Sequence, residues 1–485
     1  LLEKIKNMKY KQLIFAALSF LIIGCSEQVN HTSETNTTNS SLLNEDVIFY
    51  LTTQDQSVLF QQQTLKNTSL GHENLAKIKV STNTSYQEID GFGFSLTGGS
   101  AELINAMSAD AKNNLLNELF GTGLNDIGVS YLRISLGASD LDAKVFSYND
   151  LPLGESDIAL DHFSIDEDKK NLIPVLQQIL AINPEIKIMA SPWSAPTWMK
   201  TNNASKGGSL KAEYYDVYAQ YFVKYIQAMQ QEGIIIDAIT VQNEPLHPGN
   251  NPSLYMEAAD QAVFVKSALG PSFKQANLAT KIIIYDHNAD RPDYPIAILD
   301  DEAANQYIDG SAFHLYGGEI ESLSLVHEQH PDKNIYFTEQ WIGAPGNFPE
   351  DIKFHIKELI IGATRNWSKT VLEWNLAANS ASQPHTIGGC DRCLGAVTID
   401  GDQIKRNPAY YIIAHAAKFV RPGSKRVKSN NLIALPNVAF KTPKGEIVVV
   451  VLNNSSNKQR FNIRVTGEAV VAALDVGAVG TFVWR

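Results

Sequence analysis

A chain of 485 residues is too long for one ordinary domain and suits a large barrel with a small companion. Apolar residues make up 44% and charged residues 19%, which argues against a disordered chain and permits a full core. The formal net charge of −12 excludes a nucleic-acid partner, whose phosphates would be repelled, and fits a neutral substrate.

The first segment reads as an export signal. Met8-Lys9-Tyr10-Lys11 is a short basic region and a plausible start, with residues 1–7 ahead of it. Leu13–Ile23 is an apolar run of signal-core length, too short to span a bilayer. It ends in Leu21-Ile22-Ile23-Gly24-Cys25, which resembles a bacterial lipobox. The expectation is a signal peptide over 1–25, a lipid anchor on Cys25 and an outer-membrane lipoprotein facing the periplasm or the cell surface. Residues 26–45, rich in Ser, Thr and Asn, cannot bury enough apolar surface to fold and read as a tether.

Val47–Phe60 and Ile78–Ile89 alternate apolar and polar residues between turns and read as strands of a β-domain over 46–88. From Ile89 the pattern changes to strand, loop, helix, repeated. Eight strands are expected: Ile89–Phe94, Tyr131–Leu136, Ile186–Ala190, Ala238–Gln242, Ile282–Tyr285, Ser311–His314, Ile335–Thr338 and Val371–Trp374. Helices are expected at Ala109–Phe120 (after the N-cap candidate Ser108), Leu172–Ile182, Ala212–Gln230, Leu254–Leu269, Ile320–His330, Phe354–Ala363 and Pro408–Val420. This alternation predicts a (β/α)8 TIM barrel over 89–421. Strands return at Leu432–Leu435, Val438–Lys441, Glu446–Leu452, Phe461–Val465 and Val479–Trp484. Residues 422–485 then join 46–88 in a side β-sandwich formed from both chain ends.

The chemistry sits where barrel strands end. Ala238–Gln242 stops at Asn243-Glu244-Pro245, because Pro245 cannot continue a ladder, and Ile335–Thr338 stops at Glu339. Other strand ends offer Arg133 with Asp140, Trp193, His314 with Tyr316, and Trp374 with Asn375. Two carboxylates break a glycosidic bond, tryptophans stack on sugar faces, and Asp, Asn and Arg hydrogen-bond hydroxyls. The set reads as a glycosidase site. Arg133 beside Glu339 would keep it charged, leaving Glu244 with a raised pKa, although spacing alone does not settle which glutamate is which. The duller alternatives are solvated glutamates, core tryptophans, a structural ion pair for Arg133 and a core histidine at His314. No zinc ligand set appears. Cys390 and Cys393 form a CxxC, which in an exported chain reads as a local disulfide, since a zinc site would need two more ligands.

These motifs together resemble glycoside hydrolase family 30, which includes lysosomal-type glucosylceramidases and microbial endo-β-1,6-glucanases. The resemblance rests on DGFGFSLTGGSA (Asp90–Ala101), YLRISLGASD (Tyr131–Asp140), ASPWSAPTWMKTN (Ala190–Asn202), VQNEPLHPGNNPS (Val241–Ser253), AFHLYGG (Ala312–Gly318), YFTEQW (Tyr336–Trp341), EWNLA (Glu373–Ala377) and GGCDRCLGAVTID (Gly388–Asp400). It extends through RNPAYYIIAHAAKFVRPGS (Arg406–Ser424). It implies the barrel with a side β-sandwich, a retaining mechanism, Glu244 as acid/base and Glu339 as nucleophile. It places Arg133, Asp140, Trp193, Asn243, His314, Tyr316 and Trp374 around the −1 subsite, with no metal or organic cofactor. The LHPGNNPS, FTEQW and GGCDRC stretches look more like the endo-β-1,6-glucanase branch, so a β-glucan polysaccharide or oligosaccharide is the implied substrate. An exo-acting β-glucosidase or glucosylceramidase is the alternative, and a non-catalytic surface glycan-binding protein would need Glu244 or Glu339 to be lost.

Overall fold

The computed structural model describes residues 46–68 and 71–485. The signal segment, Cys25 and the tether lie outside the described residues. Among the described residues, no helix is long and apolar enough to cross a membrane.

Eight parallel strands close a barrel in chain order: β1 (Gly91–Leu96), β2 (Tyr131–Ser135), β3 (Lys187–Ser191), β4 (Ala238–Thr240), β5 (Lys281–Ala289), β6 (Ile308–Gly318), β7 (Asn334–Glu339) and β8 (Ser368–Asn375), with β8 pairing back to β1. Each coincides with an expected strand. Alternation along the strands sorts the barrel interior into layers. The lower layer is apolar: Tyr131, Met189, Ala238, Ile283, Ala312, Tyr336 and Leu372 form one buried cluster. Two residues further along six of these strands the buried side chains become Arg133, Ser191, Thr240, His314, Thr338 and Trp374. The barrel thus has a dry plug below and a polar layer directly under its C-terminal mouth.

The outer helices follow from their caps and stripes. Ala109–Phe120 begins where the Ser108 side chain accepts from the Ala111 N–H, and it buries Leu115, Leu116, Leu119 and Phe120, one face at helical spacing. Leu172–Ile182 matches its expected bounds. The helix expected over Leu254–Leu269 instead starts at Ala258, because Met256 N–H is held extended by Pro245 O at 2.9 Å. It then runs on to Gln275 through a π-helical segment, Val265–Leu269, just before Pro271. A wider turn there accommodates the ring and missing N–H of Pro271, which otherwise breaks a helix. A second π segment, His355–Ala363, continues the helix Phe348–Phe354. Gly98–Ala106 and Asp293–Leu299 are helices the pattern did not announce.

Both chain ends build the side sheet, whose strand order is Gln61–Leu65, Val47–Thr52, Val479–Trp484, Ile447–Leu452, Asn437–Lys441, Lys425–Ser429, Ala76–Glu88, Gln459–Val465, Glu468–Leu474. Ala76–Glu88 serves two neighbours: its first half pairs with Phe461–Val465 and its second with Lys425–Ser429. The Phe482 ring meets those of Phe49 and Phe461 at 5.1 and 6.3 Å inside this domain. Ile447–Leu452 is apolar at every position because both its faces are covered. Ile447, Val449 and Val451 fill the sandwich core, while Val448, Val450 and Leu452 join the barrel's core. Leu432–Leu435, expected as a strand, is a turn running into Pro436, whereas Lys425–Ser429, Gln61–Leu65 and Glu468–Leu474 are strands too polar or too alanine-rich to stand out.

Candidate active site

Arg133 organises the mouth of the barrel. Its place on β2 points it inward above the apolar plug, and it has no exposed surface. Its Nη1 donates to Glu339 Oε2 at 2.6 Å. Nη2 donates to Asn243 Oδ1 at 2.6 Å and Asp286 Oδ2 at 2.8 Å, and Nε to Ser191 Oγ at 3.1 Å. The guanidinium also lies 4.8 Å from the Trp193 ring centre and 5.8 Å from that of Trp374. One side chain therefore ties the ends of β3, β4, β5, β7 and β8, and its charge is matched by the buried carboxylates of Asp286 and Glu339.

Glu244 and Glu339 both approach His314. Its Nδ1 is 3.4 Å from Glu244 Oε1 and 3.9 Å from Glu339 Oε1, so those two oxygens lie no farther apart than the two distances laid end to end. Tyr316 Oη donates to Glu339 Oε1 at 2.9 Å, and Asn250 Nδ2 to Glu244 Oε2 at 3.3 Å. Glu244 itself has φ near +45°, an uncommon conformation for a residue with a Cβ, held by its N–H bond to Asp286 O at 2.9 Å.

Asp286 was not anticipated. The expected strand ended at Tyr285, but β5 continues through a bulge in which Tyr285 and Asp286 both have positive φ, 71° and 67°. The bulge turns Asp286 inward, where it accepts from Thr240 and Thr338 at 2.7 Å each and lies 3.1 Å from His314 Nε2. The same turn brings His287 beside Glu244, with Nδ1 3.7 Å from Oε1.

The remaining expected residues converge here. Trp193 and Trp374 stack on each other with ring centres 5.2 Å apart and are nearly buried, so much of their faces is spent on one another and on Arg133. Tyr316, 38% exposed, is the more open aromatic surface. Asp140 is buried and accepts from the Cys390 N–H at 3.2 Å. Cys390 and Cys393 are joined by a disulfide, and Cys393 packs with Leu141, Trp193 and Trp374. Trp198 of the same motif is elsewhere: its Nε1 donates to Asn149.

The charges are unequal in a way the Arg133 argument alone did not capture. Burial opposes ionisation of Asp286, but Arg133, His314 and Thr338 more than offset it and hold this carboxyl well below the usual range. Burial likewise lowers His314, but Glu339, Asp286 and Glu244 outweigh it and push the imidazole up to about 9. Burial would raise Glu244, yet the His314 hydrogen bond and charge, with His287 and His247, bring it below its ordinary value. Burial raises Glu339 and the neighbouring Glu244 charge adds to it, only partly countered by His314 and Arg133. His314 is a second cation beside both glutamates and hydrogen-bonds Glu244, so Arg133 alone does not set the balance between them. The two carboxyls lie close enough to titrate as a pair. Asp140 is pushed up to about 7 by burial and by both glutamates.

Residues 89–420 match the glycosyl hydrolase family 30 TIM-barrel domain and residues 423–482 the family 30 beta sandwich domain. The chain belongs to glycosyl hydrolase family 30. It is a glycoside hydrolase, and its paired glutamates lie at or just beyond the C-terminal ends of β4 and β7. An endo-1,6-beta-D-glucanase of Aspergillus fumigatus is 32% identical over 424 residues, 82% of each chain. The lysosomal acid glucosylceramidase of Mus musculus is 29% identical over 430 residues, again 82% of each. Among solved structures, the endo-beta1,6-glucanase BT3312 superposes with a TM-score of 0.85 at 35% identity, covering 91% of this chain and 99% of that one.

Proposed function

We propose that this family 30 enzyme is a retaining hydrolase that cuts β-1,6-glucan internally. The observation that carries the mechanism is that Glu244 and Glu339 both come within 4 Å of one histidine nitrogen, with Arg133 and Tyr316 donating to Glu339 alone. Retention needs carboxyl groups about 5–5.5 Å apart, whereas inversion leaves room for a water at about 6.5–9.5 Å. Glu339 is the nucleophile: Arg133 and Tyr316 both donate to it, fixing its oxygens and favouring its anion in the transition state. It attacks the anomeric carbon while Glu244 gives its proton to the departing glycosidic oxygen. Water, deprotonated by Glu244, then cleaves the glycosyl ester and frees Glu339. A glycosidic oxygen docked at Glu244 accepts its proton as a hydrogen bond, which favours the acid form of Glu244 over that of Glu339. Asn243, Asp140, His314, Tyr316, Trp193 and Trp374 surround the sugar in the −1 subsite.

The substrate reading is supported by the endo-1,6-glucanase relatives, whose identities of 32% and 35% exceed the 29% of the mouse glucosylceramidase. The glucosylceramidase likeness over the same share of chain keeps an exo-acting β-glucosidase or glucosylceramidase as the second reading. Product analysis on linear β-1,6-glucan (pustulan), laminarin and glucosylceramide separates them. A ladder of gentio-oligosaccharides from pustulan alone supports endo action, and glucose alone or release from the lipid replaces it with the exo reading. From the sequence we also propose export and a lipid anchor at Cys25. Membrane retention that survives Cys25→Ser would contradict the anchor.

A further inference from the structure

We infer that Glu244, His287 and His314 form an inhibitory binding site for a borderline divalent metal ion of the Zn2+ or Co2+ type. The three residues are far apart in sequence, on a loop and two strands, yet their ligating atoms all lie within 4.8 Å of one another and all three residues are buried. A tetrahedral ion with ligands at about 2.0–2.1 Å keeps neighbouring ligand atoms roughly 3.3 Å apart. Glu244 Oε1 is 3.4 Å from His314 Nδ1 and 3.7 Å from His287 Nδ1, so small side-chain rotations complete the geometry.

Two independent features make this a prepared site. His287 is only 7% exposed, and its Nδ1 has no hydrogen-bond partner although it points toward Glu244. A buried imidazole nitrogen without a partner is uncommon, and a metal ion supplies one. His314 has its other nitrogen, Nε2, 3.1 Å from Asp286 Oδ1, and Asp286 is anchored by Arg133 and two threonines. A carboxylate behind a histidine orients the ring as a ligand, and an ion bound at Nδ1 displaces the proton this imidazole otherwise holds there. Two imidazoles and one carboxylate suit Zn2+, Co2+ or Ni2+ and do not suit Mg2+ or Ca2+, which prefer all-oxygen shells.

The consequence for activity rests on Glu244 being the acid/base. An ion on Oε1 occupies the electron pair that would carry the proton to the leaving group, so the bound form is inactive and metal competes with substrate. The same ion binds irrespective of catalysis, which allows the two ideas to be tested apart.

The experiment titrates Co2+ into the purified enzyme and follows its visible d–d absorption, beside Zn2+ inhibition of pustulan hydrolysis in wild type, His287→Ala and His287→Asn, each relative to its own metal-free rate. Intense tetrahedral bands in wild type that collapse in both variants, with an inhibition constant raised at least about tenfold, are the expected result; loss of a ligand's mere partner already costs about 10–100-fold. Circular dichroism of the metal-free variants establishes that they are folded. Equal Zn2+ inhibition of wild type and variants, or no Co2+ spectrum in wild type, overturns the site. Tetrahedral Co2+ bands without inhibition sustain the site and count against Glu244 as acid/base.

Discussion

Arg133 holds Glu339 through a 2.6 Å hydrogen bond at a depth where the arginine has no exposed surface. The same guanidinium is the counter-ion of Asp286, at 2.8 Å, so it neutralises one fully buried carboxylate and one nearly buried one. Removing it leaves both uncompensated. Arg133→Met is expected to lose about 3–5 kcal/mol of stability, the range for breaking a buried ion pair. Adding Asp286→Asn should recover part of that loss while activity stays lost. Urea unfolding followed by circular dichroism checks this. Additive losses in the double variant would show that Arg133 and Asp286 do not share one network.

Glu244→Gln separates the two chemical steps. On pustulan the rate should fall about 10²–10⁴-fold, the usual worth of a general acid–base. On a dinitrophenyl β-glucoside, whose leaving group needs no proton, the first step survives and a burst of phenol precedes slow turnover. Azide, which needs no deprotonation, should restore turnover and give a β-glycosyl azide. Unchanged steady-state turnover of the aryl glucoside would remove Glu244 from the acid/base role. In wild type the need for one ionised and one protonated glutamate implies a bell-shaped kcat/KM profile, falling at acid pH when both are protonated and at alkaline pH when Glu244 loses its proton.

The Cys390–Cys393 loop is expected to act through Asp140, whose carboxylate accepts the Cys390 N–H, and through the Trp193–Trp374 pair that Cys393 touches. Replacing both cysteines by serine should raise KM about 3–10-fold, the equivalent of roughly one hydrogen bond, with kcat changed less. A lower thermal midpoint with unaltered KM would mean that the loop is a staple and nothing more.

Asp168 is buried, accepts from Tyr148 Oη at 2.6 Å and is pushed up to about 8 by burial, which the Tyr148 bond only partly counters. Its folded value lies above its unfolded one. The stability it contributes is therefore complete below about pH 4 and is lost as pH rises toward 8. Asp168→Asn keeps an acceptor for Tyr148 without the charge. It should gain on wild type as pH rises from 5 to 8, by on the order of 1–3 kcal/mol at the upper end. An equal difference at both pH values would show that Asp168 does not bind its proton on folding.

The barrel was legible because each inward strand keeps its apolar stretch until the polar layer begins, and because Pro245 marks where β4 stops beside Glu244. Asp286 was hidden for a specific reason. A bulge with positive φ at two residues that are not glycine has no period-two signature, so Asp286 and His287 read as loop. The charge balance was misjudged for a related reason: it needs the distance from His314 to both glutamates, which spacing along the chain does not contain. Gly98–Ala106 was missed because two glycines open it, and its start is fixed by Thr97 Oγ1 accepting from the Ser100 N–H at 3.1 Å.

The most direct test of the central claim is to trap the covalent intermediate. Incubation with 2-deoxy-2-fluoro-β-glucosyl fluoride slows breakdown of the glycosyl ester, and digestion followed by tandem mass spectrometry locates the sugar. The account predicts one added fluoroglucosyl group on the peptide spanning Asn334–Trp341, at Glu339. A label on Glu244, or inactivation without any covalent adduct, would contradict it.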